Sequence, residues 1–169
     1  MRRLVIVLGV IVLVALAGWQ AMSPWMALDT LRDAAREGDT VTLEQNIDFP
    51  ALRESAKSEL YQQVQAEARK HDANDPLAGL LGSELAKRFI SGTVDALVTP
   101  GGVSAMLITG KALPGDKDAD TQPEIDWHVK WVGPRTFRAV PETKDGKAHP
   151  SLIFKRAGLS WKLAGIDIP

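Results

Sequence analysis

Three aspartates, Asp116, Asp118 and Asp120, stand at alternate positions in this sequence. The spacing matches the opening of an EF-hand loop, where oxygen ligands along a tight turn converge on calcium. Glu124 falls at the ninth position, but the sixth is Thr121, where the turn needs glycine. The twelfth is Trp127, where the cation needs a bidentate carboxylate. The segment therefore reads as an acidic, solvated loop, with weak calcium binding through Asp116, Asp118 and Asp120 as the alternative, and no metal or other cofactor is expected.

His128, with Asp126 two residues before it, is the least unfavourable acid–base pair. Residues at i and i+2 of a strand share a face, and a carboxylate beside an imidazole can tune proton transfer near neutral pH. Catalysis would also need a third group and a pocket, so a solvated strand histidine is the plainer reading. His71 and His149 lie in loops. There is no H-E-x-x-H or G-x-S-x-G, and Gly101-Gly102 lacks the preceding strand and the Lys-Ser/Thr ending of a phosphate loop. The chain has no cysteine, which removes thiol catalysis, Cys-type zinc sites and disulfides together. The expectation is a non-enzymatic module.

Two sets of side chains are candidates for binding. Trp127, Trp131, Phe137, Phe154 and Trp161 would line an apolar ligand cavity if a sheet curved around them; otherwise they are core. Lys130, Arg138, Lys155 and Lys162, with His128 among them, form a candidate basic patch for an acidic partner or lipid headgroups. Charged residues are also how an antiparallel sheet ordinarily faces water.

The elements that carry these residues follow from periodicity. Ile125, Trp127, Val129 and Trp131 alternate with polar residues, Gly133-Pro134 turns the chain, and Phe137 and Ala139 continue the apolar face. Lys144-Asp145-Gly146-Lys147 is a hairpin signal. Leu152 and Phe154 mark a third strand, and Ala157-Gly158 leads to a fourth from Leu159 to Ile168. Upstream the period is helical. Ser23-Pro24 reads as a helix start for Trp25, Leu28, Leu31 and Ala35, closed by Gly38. Asp39 caps a short helix through Val41, Leu43 and Ile47. Pro50 opens a largely wet helix to about Lys70, with Leu52, Ala56, Leu60 or Tyr61, and Val64 as its apolar stripe. A more buried helix is expected from Leu77 to Val98, and Thr99-Pro100 opens a short one through Val103, Met106 and Leu107. The predicted fold class is α+β: several helices packed on one face of a C-terminal antiparallel four-stranded meander. Residues 23–169 form one domain, with a helical half at 23–109, a loop at 110–123 and the sheet at 124–169.

From Leu4 to Trp19 no side chain is charged or strongly polar. At the helical rise, Leu4 to Met22 spans roughly 29 Å, about one hydrocarbon core. Arg2 and Arg3 precede the run and Arg32 is the next cation, so the positive-inside bias puts the N-terminus in the cytoplasm and the rest outside. Residues 1–22 are read as a transmembrane signal-anchor, with Trp19 and Trp25 at the interface. The alternative is a secretory signal cut after Ala15-Leu16-Ala17, leaving a soluble periplasmic protein. A formal charge of −1 with mixed signs gives no global field for nucleic acid, which is not an expected partner.

The run Ala27-Leu28-Asp29-Thr30-Leu31-Arg32-Asp33-Ala34-Ala35-Arg36-Glu37-Gly38-Asp39 resembles the opening helix of NTF2-like or cystatin-like domains, and Trp161-Lys162-Leu163-Ala164-Gly165-Ile166 resembles their last strand. A longer likeness takes in the membrane helix, Ser23-Pro24, Leu28 to Gly38, Asp48-Phe49-Pro50-Ala51-Leu52-Arg53, Trp161-Lys162-Leu163 and Pro169. It is similar to the bacterial domain-of-unknown-function family numbered 2939. That resemblance implies a single-anchor envelope protein and lends no catalytic residues. The combined expectation is a single-pass protein of the bacterial inner membrane with a periplasmic α+β domain that binds an envelope protein partner. The alternative is an enzyme or an apolar-ligand-binding cone on the aromatic face of the sheet.

Overall fold

The computed structural model describes residues 2–70, 84–109, 126–142 and 149–168, apart from the side chains of 2–5, 12–22 and 109. Five helices precede four strands among these residues: α1 (Arg2–Glu37), α2 (Thr40–Asn46), α3 (Phe49–Ala68), α4 (Glu84–Leu97), α5 (Pro100–Thr109), β1 (Asp126–Gly133), β2 (Thr136–Glu142), β3 (Ser151–Ala157) and β4 (Ser160–Asp167). The fold class is α+β, and the strands form one antiparallel sheet in the order β1-β2-β3-β4. The calcium-like aspartates Asp116, Asp118 and Asp120 and the expected hairpin at Lys144 to Lys147 lie outside the described residues.

Helix α1 departs from expectation. Ser23-Pro24 does not start a helix, because α1 continues through Pro24 for 36 residues. An internal proline removes a backbone hydrogen bond and crowds the preceding turn, at a cost of about 3 kcal/mol. Here its ring is fully buried, and the Ser23 hydroxyl that could have capped a new helix accepts the Trp161 indole N–H at 2.8 Å instead. Tertiary packing overrides the local stop signal. Past Pro24, Leu28, Leu31, Ala34 and Ala35 form the stripe that enters the core, and the helix ends at Gly38, whose φ of 69° is the left-handed conformation of a helix C-cap.

The next two helices start on aspartates. Asp39 accepts the Thr42 amide at 3.0 Å and Asp48 accepts the Ala51 amide at 3.1 Å, each satisfying a donor that the first turn leaves without a partner. Between them Ile47 makes a parallel bridge to Leu163, and the Asp48 amide donates to the Leu163 carbonyl at 2.8 Å. This covers part of the edge of β4 that would otherwise be open to pairing. Helix α3 covers more of it. The Ser55 hydroxyl accepts the Ile166 amide and donates to the Ile166 carbonyl, both at 3.1 Å.

Ser55 also sits over Gly165, where a Cβ would come within 2.8 Å of its Oγ and 3.4 Å of the Ile153 Cβ. Ile153 lies on the opposite side of β3 from buried Phe154, so α3 overhangs the outer face. The helices are therefore not all on one face of the meander.

The helix expected to be more buried than its neighbours is largely exposed. In α4 only Ile90 and Val94 are buried, while Phe89 is 76% exposed. Its neighbour is α3, not the sheet, and one helix covers only one stripe. Leu77, Leu80 and Leu81 lie outside the described residues. Helix α5 forms as expected, with Val103 and Leu107 buried and Ser104 donating to the Ala35 carbonyl of α1 at 2.9 Å.

Among the described residues no helix is long and apolar enough to cross a membrane. The N-terminal transmembrane helix expected from the sequence is unsupported there. The side chains of 12–22, most of the apolar run, lie outside those described.

Candidate functional site

The candidate apolar site is a row of rings across the sheet. Trp131 opposes Phe137, Phe137 opposes Phe154, and Phe154 opposes Leu163. Phe137 stacks on Phe154 at 4.5 Å and meets Trp161 edge-on at 4.9 Å. Such pairs add about 0.5 to 1.5 kcal/mol each beyond area burial. Phe137, Phe154, Trp161 and Trp127 are buried, and the first three fill space against one another. Trp131 is different: its ring contacts Trp161 at 5.7 Å and Phe137 at 6.4 Å, yet it is 47% exposed. It stands at the end of the row, beside the β1–β2 turn.

That turn and the β3–β4 turn lie side by side. The Arg156 amide donates to the Arg135 carbonyl at 3.0 Å, joining the two hairpins at one end of the sheet. The Arg156 guanidinium lies 5.1 Å over the Trp161 ring and donates to the Gly158 carbonyl at 3.3 Å, holding the second turn in shape. Gly158 has φ 64°, which a side chain would resist. Leu159 beyond it is 90% exposed, and Val132 is exposed on the other hairpin.

The basic patch has an uncommon arrangement. Lys130 is directly opposite Arg138, and Lys155 is directly opposite Lys162. Like charges facing one another across a ladder are destabilising. Arg138 has a partner, an ion pair with Asp167.

His128 is brought to a carboxylate that the sequence did not indicate. Its Nε2 lies 2.7 Å from Glu142 Oε2 on the neighbouring strand, and both side chains are exposed. Asp126, the sequence candidate, is directly opposite Glu142 in the register. The signal was available in the Gly133-Pro134 turn, which sets that register. Both groups are exposed, and among the described residues nothing there excludes water or positions a substrate. Among the described residues no three His, Asp or Glu side chains gather to hold a metal.

A shallow cleft of about 420 Å³ lies beneath α3, lined by residues including Glu54, Ser55, Glu59, Ile153 and Lys155. On the far flank of α3, Asp95 of α4 holds Lys57 at 3.0 Å and Arg53 at 4.0 Å. The hydrogen bond to Asp95 pushes the Lys57 pKa up, keeping that ammonium charged.

A family profile described as "Protein of unknown function (DUF2939)" matches residues 13–106. The chain belongs to the DUF2939 family. The match runs from the apolar run through α5, so Trp161-Lys162-Leu163 and Pro169, which also entered the sequence resemblance, lie beyond it. No curated protein and no solved structure matches this DUF2939 chain, and the likeness to NTF2-like and cystatin-like domains gains no support.

Proposed function

We propose that this chain is a non-enzymatic, single-pass protein of the bacterial inner membrane, anchored by the helix over Leu4 to Met22, with its α+β domain held in the periplasm as an interaction module for an envelope protein partner. The observation that carries this reading is the state of the helix before Ser23. Every residue from Ile6 to Ile11 is exposed, and at about 100° per residue those positions go all the way around the helix.

The domain therefore leaves this part of the apolar rod, Ile6 to Ile11, uncovered. Exposed apolar surface costs roughly 25 cal/mol per Å² in water, which favours a lipid environment for the rod. A bilayer fits its length and its flanking charges. Trp25 is exposed just past the run, where an interfacial aromatic belt stands. Signal cleavage after Ala17 would cut inside α1, which is continuous across that point.

Fractionation tests this reading. The full-length chain is expected in membranes and to resist extraction by alkaline carbonate. A shortened chain in the soluble periplasm would overturn it.

A further inference from the structure

We propose that the two-hairpin end of the sheet is a second membrane contact, lying in the headgroup layer of the bilayer that α1 enters, with Trp131, Val132 and Leu159 toward the acyl boundary and its cations against anionic lipid phosphates. This inference rests on the anchor reading above.

Position is the first argument. Of the two ends of the sheet, the hairpin end is tied to the base of the apolar run. Trp161, the second residue of β4, donates its indole N–H to Ser23 at 2.8 Å, in a buried hydrogen bond. Ser23 follows Met22, the last residue of the run, by a single helical rise of about 1.5 Å. Leu159 is two residues from Trp161, no more than roughly 7 Å along an extended chain. The interfacial layer on each side of a bilayer is roughly 5 to 8 Å thick. The contact between the sheet and the base of the apolar run is thus made at the end that carries both turns.

The exposed side chains at that level are the second argument. Trp131, Val132 and Leu159 are large, apolar and exposed, on two turns joined through Arg156 and Arg135. Tryptophan at this depth places an amphipathic ring where one side is apolar and the other wet.

Charge is the third argument. The stretches 129–138 and 153–163 contain Lys130, Arg135, Arg138, Lys155, Arg156 and Lys162 and no Asp or Glu. Among the described residues, the acidic groups of the sheet, Asp126, Glu142 and Asp167, all sit at the opposite end. Arg138, opposite Lys130, is already ion-paired with Asp167, so the Lys155–Lys162 opposition is where positive charge is concentrated and where a layer of lipid phosphates would relieve repulsion. Each Lys or Arg near an anionic membrane surface contributes about 1 kcal/mol, roughly fivefold in partitioning.

The test uses the full chain in lipid nanodiscs. The absence of native cysteine allows single nitroxide labels at Leu159→Cys, Val132→Cys, Ser58→Cys and Val10→Cys, read by accessibility to oxygen against a water-soluble nickel chelate. In discs containing phosphatidylglycerol, Val10 should read as deep in the bilayer, Leu159 and Val132 as at headgroup depth, and Ser58 as aqueous. Arg135→Gln should reduce the lipid-facing fraction at Leu159 about fivefold in those discs and leave it unchanged in phosphatidylcholine alone. Leu159 and Val132 as aqueous as Ser58, with Val10 deep, would overturn the second contact and leave the anchor standing. An aqueous Val10 would overturn the anchor and this inference with it. No effect of Arg135→Gln in anionic discs would overturn the role given to charge.

Discussion

Trp161 and Ser23 stand 138 positions apart and share one buried hydrogen bond of 2.8 Å. It joins the start of the last strand to α1 at the residue that follows the apolar run, and so ties the sheet to that helix. Trp161 also meets Phe137, Trp131 and Arg156, so the orienting contact is built into the aromatic row.

Ser23→Ala should therefore cost about 1 to 3 kcal/mol, because it leaves the buried Trp161 N–H without its acceptor. Ser23→Thr, which keeps the hydroxyl, should recover most of the loss. Urea unfolding of the detergent-solubilised chain, followed by tryptophan fluorescence, reads both. Equal losses in the two variants would show that shape, not the hydrogen bond, matters there.

Gly165→Ala places a methyl 2.8 Å from the Ser55 hydroxyl. Ser55 must then rotate away from Ile166 and give up two hydrogen bonds, or β4 must shift. A loss of about 1 to 3 kcal/mol is expected. Ser55→Ala should cost less in the Gly165→Ala background than in the wild type, because the bonds are already broken. A double-mutant cycle measures this coupling, and strictly additive effects would contradict it.

Gly102→Ala should be worse. Its Cβ would fall 1.9 Å from the Leu97 carbonyl oxygen, a backbone atom at the end of α4 that no side-chain rotation can move. The expected result is loss of the cooperative unfolding transition, or a cost above about 3 kcal/mol. Gly101→Ala, which meets nothing within 4 Å, is the control and should be nearly neutral.

The contrast between these two glycines shows what a sequence can and cannot carry. Gly101-Gly102 weakens a helix on propensity alone, yet α5 forms, because Gly102 lets it start against the end of α4 and its amide is capped by the Thr99 hydroxyl at 3.2 Å. Strands and caps were legible wherever the cause was local: the alternation from Trp127 to Trp131, the turn at Gly133-Pro134, the cap at Asp39. Features that depend on distant partners were not. Pro24 reads as a helix start until Trp161 claims the Ser23 hydroxyl. Phe89 reads as core until α4 is seen to touch α3 with only one stripe. Of the candidate site, the membership of the aromatic row was legible. Trp131 standing at its exposed end was not, because it depends on how the two hairpins lie side by side, and Glu142 as the partner of His128 was readable only through the register that the Gly133-Pro134 turn sets.

The Asp39 cap gives a pH dependence. Hydrogen bonds from the Thr42 hydroxyl and amide hold its carboxyl below the ordinary value of 3.8. The unfolded chain then takes up the proton at a higher pH than the folded one, so the stabilisation is present above the ordinary value and is lost as pH falls through the folded value. The unfolding midpoint of Asp39→Ala should lie below that of the wild type by a constant amount from about pH 7 to 5, with the gap closing below about pH 4. A gap unchanged at the lowest pH where both variants fold would contradict this assignment.

If α1 crosses the inner membrane once, as proposed, Ser58 of the domain faces the periplasm. Thiol labelling of Ser58→Cys in spheroplasts with a membrane-impermeant maleimide tests it most directly, since the chain has no other cysteine and Ser58 is exposed on α3. Full labelling of intact spheroplasts is expected, on a membrane-bound chain of uncleaved length. Labelling only after the membrane is permeabilised would contradict it.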